Sequence, residues 1–289
     1  MDQFTVGSVP EHFMLPWHLA MENGNFQSHE LSVNWQDYPG GTGAMMADLH
    51  AGQLDIAIAL TEGVVADIIK HRASKIAQVF VSSPLTWGIH VAAESPYQSV
   101  EELEGKTFAI SRMGSGSHLM AIVMARQRGW SIGNMQLEIV GGMVGARKAL
   151  PTGEADAFMW EKYMTQPIVE RGEFRRVGEF DTPWSCFVVV VRDEILKRSS
   201  TQVQALLEVV QKSAESFTIK SDATALVAQR YSLTQEDAER WFERTQWKTD
   251  FRVSRTMLNQ VMDALVSCQV INRKIDTTLL CSSLTALEQ

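Results

Sequence analysis

Cysteine is scarce in this chain. Cys186, Cys268 and Cys281 are the three in 289 residues, odd in number and far apart. No CxxC pair occurs, so neither a zinc cage nor a disulfide framework is expected, and isolated, mostly buried thiols are the simplest reading. Positive charge is short as well. Lys and Arg number 26 against 34 Asp and Glu, a net charge of -8. That balance argues against nucleic acid or an anionic membrane as partner, because either needs a basic face. It leaves room for an anionic small ligand, since a cleft can differ in sign from the whole surface.

Long apolar runs are missing too. The longest, such as "CFVVVV" at 186–191, are far too short to span a bilayer. The N-terminus goes straight into the strand-like "FTVGSV", with no basic stretch leading to an apolar segment, so no signal peptide is read. The expected compartment is the cytoplasm as the chain stands, or the periplasm or exterior if a leader has been removed.

Signatures of chemistry are equally thin. No GxxxxGK[ST] is present, and "GSGSHL" lacks the third glycine of a dinucleotide fingerprint. GxSxG fails because Gly116 stands where the nucleophile belongs. No HExxH occurs, and the seven histidines are scattered. No catalytic set, metal site or cofactor is therefore expected.

What the chain does have is an ordinary globular balance, 45% hydrophobic and 21% charged, and a length suited to two modest lobes. It also repeats itself. "GGTGAMMADLHAGQLDIAIA" from Gly40 and "GGMVGARKALPTGEADAFMW" from Gly141 align without a gap at a shift of 101. Gly40, Gly41, Leu49, Gly52 and Asp55 match Gly141, Gly142, Leu150, Gly153 and Asp156. Each copy reads as a glycine pair opening a helix, a glycine ending it, and an Asp turn into an apolar strand. Upstream, "FTVGSVPEHFMLPWHLAMENGNF" and "FAISRMGSGSHLMAIVMARQRGW" both run strand, polar loop, helix and glycine turn, with "LSVNW" and "LEIVG" as second strands.

Two β-α-β-α-β units follow, the alternation of a largely parallel sheet covered by helices. After about Asp193 the pattern turns helical, with apolar periodicity over Thr201–Phe217 and Arg252–Val266. Thr234 and Asp237 stand at capping-box spacing, with Trp241 and Trp247 as core aromatics.

Ligands of such sheets gather at the carboxyl ends of strands. That selects "GSVPEH", "PGGTG", "TEG", "SRMGSGSH" and "WEKY". Gly114 and Gly116 allow a close backbone approach, Ser115 and Ser117 either cap the helix or donate hydroxyls, and the helix start is either a ready anion site or simply a tight strand-to-helix turn. Gly41 and Thr42 offer the same device in the other copy. His12 and His118 are either ligand donors or plain polar loop residues. Trp87, Trp160 and Trp184 are either a pocket wall or core.

The strings "AMENGNF", "LSVNW", "GGTGAMMADLHAGQLDIAIALTEG", "LEGKTFAISRMGSGSH" and "YSLTQEDAERWFERTQW" resemble the ABC-transporter substrate-binding proteins for nitrate, sulfonates and thiamine precursors, over almost the whole chain. The resemblance implies a two-lobe, type II periplasmic-binding-protein-like α/β fold, each lobe a mixed, mostly parallel sheet flanked by helices, with a C-terminal helical segment. Residues 1–88 and 190–289 would form lobe 1 and residues 89–189 lobe 2. It implies a small polar, anionic or zwitterionic ligand held between lobes with hinge closure, and an ABC permease as partner if the chain is exported. The ligand-facing positions carried over are Pro10, Glu11, His12, Gly41, Thr42, Thr61, Glu62, Ser115, Gly116, Ser117 and Trp160, joined on the reading above by Trp87, Gly114 and His118. Glu62 stands out as either a solvated loop acid or a carboxylate that calls for an amine or N–H on the ligand. A cytoplasmic branch of the same fold makes the thiamine pyrimidine. Its cysteine-rich run is absent here, and only Lys162 and His118 offer themselves for such chemistry.

Overall fold

A computed structural model describes residues 2–289. The first copy of the repeat folds as β1 (Asp2–Ser8), α1 (Leu15–Glu22), β2 (Leu31–Asp37), α2 (Thr42–His50), β3 (Ile56–Leu60), α3 (Thr61–His71) and β4 (Ser74–Val81). Then come β5 (Thr86–Ala92) and the second copy, β6 (Thr107–Ile110), α4 (Gly116–Gln127), β7 (Gln136–Ile139), α5 (Met143–Thr152), β8 (Ala157–Glu161), α6 (Lys162–Glu170) and β9 (Phe174–Asp181). The chain ends with β10 (Phe187–Arg192), α7 (Asp193–Thr218), α8 (Ala223–Tyr231), α9 (Gln235–Arg244), β11 (Arg252–Ser254), α10 (Arg255–Ser267) and β12 (Ala286–Glu288).

The shift of 101 read from the sequence recurs in the elements. Helices α1, α2 and α3 begin at Leu15, Thr42 and Thr61, and α4, α5 and α6 at Gly116, Met143 and Lys162. The matched aspartates explain themselves. Asp55 accepts the Thr5 amide at 3.0 Å, and Asp156 accepts the Thr107 amide at 2.9 Å. In each copy the carboxylate entering the third strand ties down the first strand beside it. The matched glycines Gly52 and Gly153 end their helices at φ +72° and +74°, where L side chains are strained.

The chain divides into two units, Met1–Ser83 with Trp184–Gln289, and Pro84–Pro183. In the first the sheet order is β2-β1-β3-β10-β4, in the second β7-β6-β8-β5-β9. β1 runs parallel to β2 and β3, whereas β10 is antiparallel to β3 and β4. The second sheet has the same plan, with β5 antiparallel to β8 and β9. β5 and β10 are themselves matched by the shift of 101, so each fills the same sheet position in the other copy.

Position in the sheet accounts for the apolar run at 186–191. β10 is a central strand and its residues Phe187–Val191 are all buried, which removes the need for alternation. The C-terminal segment is mainly helical, as its periodicity predicts, with a short parallel pair β11-β12 beside the helices. Helix α7 starts earlier than the apolar period, and non-helical torsions at Ser199 separate its first turns from the periodic stretch. At α9, Thr234 caps the Asp237 amide at 3.1 Å. Asp237 answers through its side chain, accepting the Thr234 hydroxyl at 2.9 Å.

Candidate functional site

The candidate residues fall into two groups, one on each unit. On the first unit the loop after β1 carries Pro10, exposed, and Glu11, half-buried. His12 is fully buried. Its ring lies 4.5 Å from that of Trp241 and 4.9 Å from that of Phe13, with Tyr231 at 5.6 Å. The C-terminal helices therefore enclose His12 in an aromatic box, something no reading of the loop alone can anticipate.

Gly41 caps α2 at φ +71°, and the α2 amides that follow point out of the helix start. Thr42 turns its hydroxyl oxygen inward to accept the Leu60 amide at 3.2 Å. This stitches the start of α2 to the end of β3. Thr61 donates its hydroxyl to the Ser185 carbonyl at 2.5 Å.

Glu62 is the most demanding residue of this group. Its side chain is 1% exposed. Oε2 accepts the Trp184 indole N–H at 2.9 Å, while Oε1 has no hydrogen-bond partner among the described residues. Burial raises its pKa, against the lowering effects of the Trp184 bond and of its own amide at the α3 start. The buried Cys186 thiol is raised well above its usual value by desolvation first, then by the charges of Glu62 and Glu11. Both acids thus act on one region. Trp184, a wall-or-core residue in the sequence, is the donor that orients Glu62. Trp184→Phe is expected to cost about 1–3 kcal/mol by leaving that oxygen without its side-chain donor. Adding Glu62→Leu should recover part of the loss in denaturant unfolding, because the orphaned acceptor is then gone.

On the second unit the elbow "GSGSH" is braced from within. Gly114 takes φ +76°, with open space where a Cβ would sit. Ser115 is the N-cap of α4 and accepts the His118 amide at 3.3 Å. Ser117 accepts the Ser111 amide at 3.0 Å and lies 3.1 Å from Ser115 Oγ. The Gly114 amide donates to His118 Nδ1 at 2.9 Å, so the neutral ring carries its proton on Nε2. Burial lowers the His118 pKa, which keeps the ring in that state. Both serines are buried, and their hydroxyls hold the loop. The amides of Gly116 and Ser117, first in α4, have no intrahelical acceptor and are the donors an anion would meet.

The tryptophans separate. Trp87 is 4% exposed and donates to Thr182 Oγ1 at 3.0 Å, which is a core role. Trp160 is half-buried at the end of β8, stacked on Phe158 with centroids 5.2 Å apart. Gly142, the N-cap of α5 at φ +134°, packs against it, its Cβ position 4.0 Å from the indole edge. Lys162 is paired with Glu179 at 2.8 Å.

Two five-stranded α/β units, each completed by a strand from the crossing chain, constitute the type II periplasmic-binding-protein fold, and this chain has it. Within it, residues 87–180 match the family model described as Ca3427-like PBP. The CA3427 gene product of Candida albicans, which defines a family with the generic periplasmic-binding-protein fold, superposes with a TM-score of 0.88 at 24% identity, covering 99% of this chain and 97% of that one. The alkanesulfonate-binding protein SsuA of Xanthomonas axonopodis pv. citri, bound to MOPS, gives 0.80 at 15% identity over 100% and 99%. The aliphatic sulphonate-binding SsuA of Escherichia coli gives 0.71 at 17% identity over 100% and 94%. No curated protein matches the chain. Among the described residues no helix is long and apolar enough to cross a membrane.

Proposed function

We propose that this chain is a solute-binding protein for a small zwitterionic organic ligand, an acid oxyanion at one end and an amine or N–H donor at the other. The carrying observation is Glu62, buried to 1% with Oε1 unpartnered. A buried carboxylate oxygen without a donor costs free energy, and a ligand ammonium or N–H would supply the partner. The oxyanion end is assigned to the Gly116 and Ser117 amides at the α4 start, held in shape by Ser115, Ser117 and His118. The MOPS-bound alkanesulfonate protein of the same fold, itself holding a zwitterion with a sulfonate, supports this division.

On this reading each unit takes one end of the ligand and the two close on it, as hinge closure does. If the chain is exported, an ABC permease is the partner that would receive the ligand.

The test is calorimetric titration with aminoalkyl sulfonates and alkyl sulfonates of equal length. The amine-bearing member is expected to bind tighter, and Glu62→Gln to erase that preference. Ser115→Ala with Ser117→Ala is expected to weaken both ligands by about 5–150-fold, the equivalent of about 1–3 kcal/mol. Equal binding of the two ligands by the unaltered protein overturns the zwitterion assignment. Unchanged affinity in the double serine variant overturns the oxyanion site.

A further inference from the structure

The fold collects two of the histidines that look scattered in sequence. His50 is the last residue of α2 and His71 the last of α3, with Asp67 one turn earlier on α3. His50 Nε2 lies 2.9 Å from Asp67 Oδ2, and His71 Nδ1 lies 3.0 Å from Asp67 Oδ1. The two imidazole centroids are 4.5 Å apart, edge to face. One ligand atom from each residue can be chosen so that all three lie within 4.8 Å of one another. From this geometry we propose that His50, Asp67 and His71 form a site for a divalent transition metal of the zinc class, on the first unit and independent of the solute site.

The donor set decides the class. Two imidazole nitrogens and one carboxylate suit Zn²⁺, Co²⁺ or Cu²⁺, whereas Ca²⁺ and Mg²⁺ require oxygen cages. Tetrahedral zinc with bonds of about 2.0–2.2 Å holds its ligands about 3.3 Å apart. Each imidazole nitrogen is near that distance from one oxygen of the Asp67 carboxylate, His50 from Oδ2 and His71 from Oδ1. The remaining adjustment falls on His71, whose side chain is 53% exposed and able to turn, while Asp67 is fixed at 12%.

The surroundings favour a cation. Both histidines terminate their helices, so two sets of C-terminal carbonyls bring partial negative charge to the same spot. Asp67, largely withdrawn from water, has more to gain from a metal than an exposed acid does. Three protein ligands leave a fourth position for water. A metal there would clamp the ends of α2 and α3 together, and the opposite ends of those helices carry Thr42, Thr61 and Glu62.

The experiment uses the untagged full-length chain, freed of metal by chelation, with Zn²⁺ or Co²⁺ alone as probe. Expected are one Zn²⁺ per chain by calorimetry and an intense four-coordinate Co²⁺ visible spectrum without thiolate charge transfer, since all three cysteines are buried. His71→Gln and Asp67→Asn should each weaken Zn²⁺ by at least the 10–100-fold that loss of an outer-shell partner costs. His29→Gln, which alters an exposed histidine bonded to Asn25 and Ser28, should leave Zn²⁺ affinity unchanged. Absence of a one-to-one event overturns the site and leaves a carboxylate bridging two imidazoles. Equal affinity in the His71 and Asp67 variants overturns it too, placing the metal elsewhere.

Discussion

Lowering the pH from 7 to 5 is expected to remove about 2 kcal/mol of folding stability through His90 alone. His90 lies on β5, fully buried. Its Nδ1 lies 3.3 Å from the Phe158 carbonyl and its Nε2 2.9 Å from the Thr165 hydroxyl. The same Thr165 hydroxyl is also placed to donate to the Lys162 and Glu161 carbonyls, at 2.8 and 3.1 Å. Gly88 makes room for the His90 ring, since a Cβ there would come within 2.4 Å of the imidazole. Desolvation, followed by the charge of Arg176, pulls the pKa from 6.5 down to about 3, with the Phe158 and Gly88 backbones opposing.

Between those values the unfolded chain binds a proton that the folded chain refuses. Stability is therefore complete above pH 6.5 and falls by about 1.4 kcal/mol per pH unit below it, until the folded pKa is reached. His18 and His118, also lowered by burial, bend the curve the same way. His90→Gln isolates the contribution. Its urea-unfolding stability, followed by hydrogen exchange of the β5 and β8 amides, should fall less steeply between pH 7 and 5 than that of the parent. Parallel curves for the two proteins would show that His90 already holds its proton in the fold.

Much of the fold was legible because the chain states it twice. The aligned glycines and aspartates fixed helix ends and strand entries in register, and Asp55 and Asp156 do the same work at the same place. Sequence also marked the strand-end loops as the chemical ones, and Ser115 does cap α4. It could not say which way the hydroxyls turn: Thr42 meets the Leu60 amide 18 positions on, and Ser115 and Ser117 are spent on bonds within their own elbow. The aromatic box around His12 depends on Tyr231 and Trp241, more than 200 positions away. The Trp184–Glu62 bond likewise joins residues separated by 122 positions. Histidine spacing hid the His50–Asp67–His71 cluster for the same reason. A local motif names a loop, whereas partners brought in by the sheet order decide what each side chain is free to do.

Gly145→Ala sets the two levels against each other. Gly145 is the third residue of α5, and its torsions are not left-handed. Helix propensity alone makes alanine there better by about 1 kcal/mol. The structure gives the opposite sign. A Cβ at 145 would lie 1.7 Å from the Val140 carbonyl oxygen and 2.7 Å from its carbon. That carbonyl cannot retreat easily, because the Val140 amide is tied to Ile110 at 2.8 Å and the turn behind it passes through Gly141 and Gly142 at φ +76° and +134°. The matched residue of the first copy is Ala44, tolerated where the preceding turn takes a different course, with Gly41 at φ +71°. Forcing backbone aside costs more than repacking a side chain, so Gly145→Ala is expected to destabilise the second unit by about 3 kcal/mol or more. Gly133→Ala, where nothing lies within 4 Å of the new methyl, should instead stabilise by about 0.4–1 kcal/mol. Denaturant unfolding of the two variants separates the accounts. If Gly145→Ala proves as benign as Gly133→Ala, the Val140 turn yields freely, and α5 answers to its local propensity after all.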